Sequence, residues 1–144
     1  MFLIYIFLWL LILYFMHRIA HIIPLIKNLH WDHHKYINSF QGNNWHWSNL
    51  FLYNDNWKST ADLWITEVFP TILFCLITSQ WWIFIFYYLW AALAQEIVEH
   101  NPKVNLYPFF TFGKWHLKHH TNHKCNYGLF FPIFDLLFKT NNKN

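Results

Sequence analysis

Charged side chains are what this sequence has least of: Asp, Glu, Lys and Arg make up 12% of its 144 residues. That is about half the share of a soluble domain and too little polar surface to coat a globule in water. Aromatic residues make up 24%, which equally excludes a disordered chain. The three glycines, Gly42, Gly113 and Gly128, are scattered, so no glycine-rich loop can cradle a phosphate. Neither G-x-S-x-G nor an H-P-G-G haem motif occurs, and nucleophilic catalysis is poorly supported, Cys125 near His123 being its one weak candidate. Cys75 and Cys125 provide no disulfide framework. Lys and Arg occur singly, with a net charge of +3, so nucleic acid is not an expected partner. There is no internal repeat.

Long apolar runs are what is present. Residues 1–16 carry no charge and lead directly into His17 and Arg18. Without a basic residue before the run or a small-residue cleavage site after it, this reads as a retained anchor. Sixteen residues span only about 24 Å as a helix, so the anchor is expected to extend to about Ala20. A second run, residues 68–94, has 27 uncharged positions and would reach about 40 Å, more than one crossing needs. Thr78-Ser79-Gln80-Trp81-Trp82 in its middle reads as an interfacial turn. The expectation is therefore a helical hairpin over about 62–99, with arms 62–79 and 80–99 and a kink at Pro70. All ten Lys and Arg residues lie outside both apolar runs, which assigns that face to the cytoplasm. Residues 36–61 read as a surface connector anchored by Trp45, Trp47 and Trp57, and 140–144 as a frayed tail. The predicted fold class is all-α: an integral membrane helical protein, one domain over 1–144, with an N-terminal anchor, a hairpin and a histidine-rich site on the cytoplasmic face.

The chain has 11 histidines, and their spacing matters more than their number. His17 and His21 form H-x-x-x-H, which puts two imidazoles on one helix face. His30, His33 and His34 form H-x-x-H-H, and His116, His119 and His120 repeat it. These eight residues are predicted to ligate metal. Eight imidazoles exceed one tetrahedral site and suit two ions of higher coordination number. Iron is the first choice, although imidazole also suits zinc, copper and nickel. All boxes must share one membrane face, so an even number of crossings must separate His34 from His116. His100, just past the second hairpin arm, is a ninth candidate ligand, and His123 and Glu96 are further candidates. His46, set between Trp45 and Trp47, reads as interfacial. An imidazole at a membrane surface can also simply hydrogen-bond among headgroups, but two H-x-x-H-H boxes in one chain favour ligation.

The pattern His17-Arg18-x-x-His21-x-x-Pro24-x-x-x-x-x-His30-x-x-His33-His34 resembles the first two boxes of the fatty acid hydroxylase and sterol desaturase superfamily. His116-x-x-His119-His120-Thr121, Asn126-Tyr127-Gly128 and Phe134-Asp135-x-Leu137-Phe138-Lys139-Thr140 resemble its closing signature. The departures are Phe134 and Lys139, where the family usually has Trp and Gly, and Glu96, where some members carry the first His of H-x-x-x-H. The resemblance implies a membrane-bound non-haem diiron centre, with zinc as a substitute metal, that uses dioxygen to hydroxylate or desaturate an unactivated C–H bond of a fatty acyl chain or sterol. It further implies an external electron donor, a ferredoxin or cytochrome with its reductase, and a bacterial inner membrane or endoplasmic reticulum location. Asp32, Asn126 and Asp135 are expected to support the ligands from behind, and self-association could complete a short chain. The competing readings are a non-catalytic metal store, sensor or transporter, a membrane haem protein, or a degenerate homologue.

Overall fold

A computed structural model describes residues 1–38, 45–54 and 56–142. Among the described residues all regular structure is helical. Helix α1 (Phe2–Ala20) ends where the anchor reading put it, with His17 and Arg18 in a last turn whose carbonyl dipoles favour basic groups. Its inner face, Trp9, Leu10, Leu13, Tyr14, His17 and Ala20, is buried, while Leu3, Ile4 and Phe7 face outward, Leu3 with 75% of its surface open. α2 (Pro24–Asn38) begins on a proline, whose missing N–H costs nothing in a first turn.

The long helical segment starts at Trp57, earlier than the predicted Asp62, because the Asn56 side chain caps it by accepting from the Lys58 and Ser59 amides. It runs as α3 (Trp57–Leu63), a π turn over Trp64–Val68, and α4 (Phe69–Thr78). The predicted disturbance at Pro70 takes the form of that π turn. A proline ring cannot sit against the carbonyl four residues earlier in a regular α-helix, and the wider turn removes the clash. α1 and the 22 residues of Trp57–Thr78 are long and apolar enough to cross a membrane. Ser79, in the left-handed region at φ 58, stops α4. Cys75 Sγ then donates to the Gln80 carbonyl, and α5 (Trp81–Leu93) begins.

Residues 36–61 are more structured than a plain connector. They hold the end of α2, a 3-10 turn over Trp47–Phe51 and the start of α3; the predicted connector also includes 39–44 and 55, which lie outside the described residues. Trp45 Nε1 donates to the Ala92 carbonyl, while Trp57 is exposed. After α5, the short α6 (Gln95–Val98) leads to a loop that returns as a bridge between Asn105 and Gly113. Gly113 has φ 70, and a Cβ there would lie 2.1 Å from the Val104 carbonyl oxygen, so only glycine fits. Its amide donates to Glu99 O at 2.8 Å and fixes the start of α7 (Lys114–Thr121) beside α6. α8 (Ile133–Leu137) closes the chain. The tail reading is corrected at its first residue. Thr140 accepts the Asn126 amide through its carbonyl, and its hydroxyl bonds to Asp135 and Tyr14, so residue 140 is pinned.

The core joins α1, α4, α5 and the closing loop between α7 and α8 through Trp9, Leu13, Tyr14, Phe74, Ile83, Tyr87 and Phe130. Trp9 Nε1 donates to Thr71 Oγ1 at 2.9 Å, which satisfies a buried indole across helices.

Candidate metal centre

Nine imidazoles meet at the end of α1 that carries His17, and they fall into two groups. His17, His21, His30, His34 and His119 form one; His33, His100, His116 and His120 form the other. Within each group the candidate ligand atoms lie within 4.8 Å of one another. The groups adjoin: the rings of His34 and His120 stack at 4.2 Å between centroids. Each H-x-x-H-H box is therefore split. On a helix, residues four apart differ in direction by only about 40°, whereas adjacent residues differ by about 100°. His30 and His34 point together while His33 leans to the second group, and His116 and His120 point together while His119 leans to the first.

In the first group the Nε2 atoms form a chain: His17 to His119 at 2.9 Å, His119 to His21 at 3.0 Å, His21 to His30 at 3.1 Å and His30 to His34 at 3.0 Å. Hydrogen bonding cannot account for it. His17 Nδ1 lies 2.9 Å from the Tyr127 carbonyl and His119 Nδ1 2.7 Å from the Cys125 carbonyl. A carbonyl only accepts, so both rings donate from Nδ1, and a neutral ring then has a bare lone pair at Nε2. Two such lone pairs face each other across 2.9 Å, which is repulsive unless a cation lies between them. Ligands at right angles around an ion about 2.1 Å away would be about 3.0 Å apart, so the donor set fits a transition metal of higher coordination number than four.

The surroundings keep the rings unprotonated. Burial lowers the pKa of His21 and His33 to about 4, with His123 and Lys27 adding repulsion at His21. His30, His100, His116, His119 and His120 are all held well below the usual value, again chiefly by burial. A stability consequence follows for the metal-free protein. The unfolded chain takes up protons near pH 6.5 and the folded chain only near 4, so stability falls as pH drops between those values. The thermal midpoint of apo-protein in detergent is expected to decline steadily from pH 6.5 to 4, and bound metal should move the decline to lower pH. A flat apo profile would contradict this.

Two carboxylates that the sequence reading did not place at the site lie behind the rings. Asp62 Oδ2 is 2.8 Å from His30 Nδ1, and Glu99 Oε1 is 3.7 Å from His116 Nδ1. One signal for Asp62 was available: an ionisable residue inside a membrane-length helix normally faces a functional interior. Glu96 is buried and lines a cavity with His33, His100 and His116, but it is in neither ligand group. His123 lies outside both groups too, its ring 4.5 Å from Trp31 and 5.5 Å from His34. His46 is exposed and caps the 3-10 turn through Ser48. Of the three expected supports, Asp32 instead pairs with Lys58 at 3.8 Å. Asn126, fully buried with φ 58, donates to the Trp115 carbonyl and accepts from the Asn142 amide, so it braces the loop and does not bond to a ring. Asp135 accepts from the Tyr127 and Gly128 amides and so fixes the loop whose Tyr127 carbonyl holds His17.

The arrangement defines a helical protein with membrane-length apolar helices and a histidine-rich site suited to metal. The model of the fatty acid hydroxylase family matches residues 2–140, and the chain belongs to that family. No curated protein and no solved structure matches it.

Proposed function

We propose that this protein is a membrane-bound diiron oxygenase that hydroxylates or desaturates an unactivated C–H bond of a fatty acyl or sterol lipid. The observation that carries this reading is the pair of facing lone pairs on His17 and His119, both locked by backbone carbonyls. Family membership adds the class of chemistry. His17, His21, His30, His34 and His119 would hold one iron, and His33, His100, His116 and His120 the other. When bound, the irons would activate dioxygen, which is the oxidant: in hydroxylation, dioxygen, two electrons and two protons convert C–H to C–OH and release one water.

The rest of the chain binds, orients and shields. An all-carbon cavity of about 430 Å³ lined by Trp9, Trp82, Phe86, Trp90, Phe112 and Phe130 is suited to an apolar lipid chain. Phe130 belongs to that wall, and its neighbour Leu129 lines the small cavity beside His17 and His100. The closing loop thus borders both the hydrocarbon cavity and the imidazole site. On another side, a cleft of about 770 Å³ with Lys27, Asn28, Trp31, His123 and Lys124 on its walls reaches the half-buried His21. Its two lysines suit an acidic ferredoxin or small cytochrome that delivers the electrons. In this reading α1 is the anchor, α4 and α5 form a hairpin around Ser79, and the metal centre lies on the cytoplasmic side.

Metal analysis of the purified chain tests the proposal: about two irons per chain are expected. One zinc, or no metal after loading with ferrous iron, would overturn it.

A further inference from the structure

The small cavity beside the second histidine group has an unusual lining. Asp62, Glu67, Glu96 and Glu99 all contribute to it, together with His17, His30, His33, His100 and His116. Its volume is about 30 Å³, room for no more than a few water molecules, so it cannot hold a lipid. Asp62, Glu96 and Glu99 are at most 5% exposed. Glu67 is partly open and accepts from Tyr87 Oη at 3.2 Å. His100 gives an independent sign that something charged belongs here: it is 2% exposed, lines the same cavity, and neither ring nitrogen has a hydrogen-bond partner.

Nine neutral imidazoles bring no negative charge to two divalent ions. Four carboxylates crowded into a membrane-embedded interior would repel one another or be driven to take up protons without a cation. Each problem resolves the other, since four negative charges match the four positive charges of two divalent ions. We propose that Asp62, Glu67, Glu96 and Glu99 form an anionic wall that supplies the counter-charge for the ion pair. Asp62 and Glu99 also act as positioning residues, one behind a ligand of each group. The inference rests on the metal-binding reading above, and it assigns to the α3–π-turn segment and to α6 with Glu99 after it an electrostatic task that the histidine boxes do not perform.

Glu67→Gln isolates the charge, because Gln keeps an acceptor for Tyr87 and Glu67 has no hydrogen bond or ion pair with an imidazole among the described residues. Cobalt(II), a spectroscopic stand-in for ferrous iron, is titrated into the metal-free full chain in detergent and then competed off with a chelator. Glu67→Gln and Glu99→Gln are each expected to retain cobalt at least about tenfold more weakly, by analogy with the loss of groups behind metal-bound histidines. The metal-free thermal midpoint should stay level or rise, because a buried repulsion is relieved. Asp135→Asn, a buried acid outside this cavity, should lower the midpoint of both forms. Retention within twofold of wild type in Glu67→Gln, or a lowered metal-free midpoint, would overturn the wall. Failure of the wild-type chain to take up any cobalt would instead overturn the metal reading on which it rests.

Discussion

On the proposed function, His119→Ala is expected to abolish the oxidised lipid product, a loss of at least about 100-fold, and to prevent metal binding by the first group. His119 is fully buried and its Nε2 approaches both His17 and His21, while its Nδ1 is tied to Cys125 O. Alanine therefore deletes the one ring that links α7 to both imidazoles of the first box. Lipid profiles by mass spectrometry and metal content of the same preparation measure the two effects. His46→Ala removes an exposed capping ring and should change neither. An unchanged product in His119→Ala would remove this group from the mechanism.

The second large effect is on stability. Asp135→Ala removes the acceptor of the Tyr127 amide at 2.8 Å, the Gly128 amide at 2.9 Å and Thr140 Oγ1 at 2.8 Å, all around a fully buried carboxylate. Leaving those donors unmatched in the interior should cost about 3–5 kcal/mol, read as a lower thermal midpoint in detergent. The damage should reach the metal, because the freed loop carries the carbonyl that orients His17. On the proposed function, the iron content of the purified chain should fall with stability. A midpoint within a degree or two of wild type would show that the loop is held by something else.

The glycine next to this carboxylate explains part of the closing signature. A Cβ on Gly128 would lie 2.7 Å from the Phe131 carbonyl and 2.9 Å from Asp135 Oδ2, so Tyr127-Gly128 can close on Asp135 only without a side chain there. The departures Phe134 and Lys139 are accommodated. Phe134 is buried against Tyr14 and Phe7, and Lys139 adopts φ 56, the left-handed conformation a glycine there would readily take.

Local physics made much of this molecule legible. Uncharged runs of membrane length specified α1 and the α4–α5 region, Ser79-Gln80 marked the break between them, and the i, i+3, i+4 spacing identified which imidazoles could meet. What the sequence did not disclose depends on contacts between distant segments. Asp62 is 32 residues from His30, Tyr127 is 110 from His17, and no local pattern joins either pair.

The sequence by itself determined that the chain is helical, apolar and rich in boxed histidines, because helix periodicity and composition act within a few residues. Only the tertiary structure decided that nine rings divide five and four, that both H-x-x-H-H boxes serve both groups, and that Asp62 in α3 and Glu99 just past α6 stand behind them. The reason is geometric: a helix fixes the angle between its own side chains, whereas the crossing of α1, α2 and α7 fixes which of those side chains share a point in space.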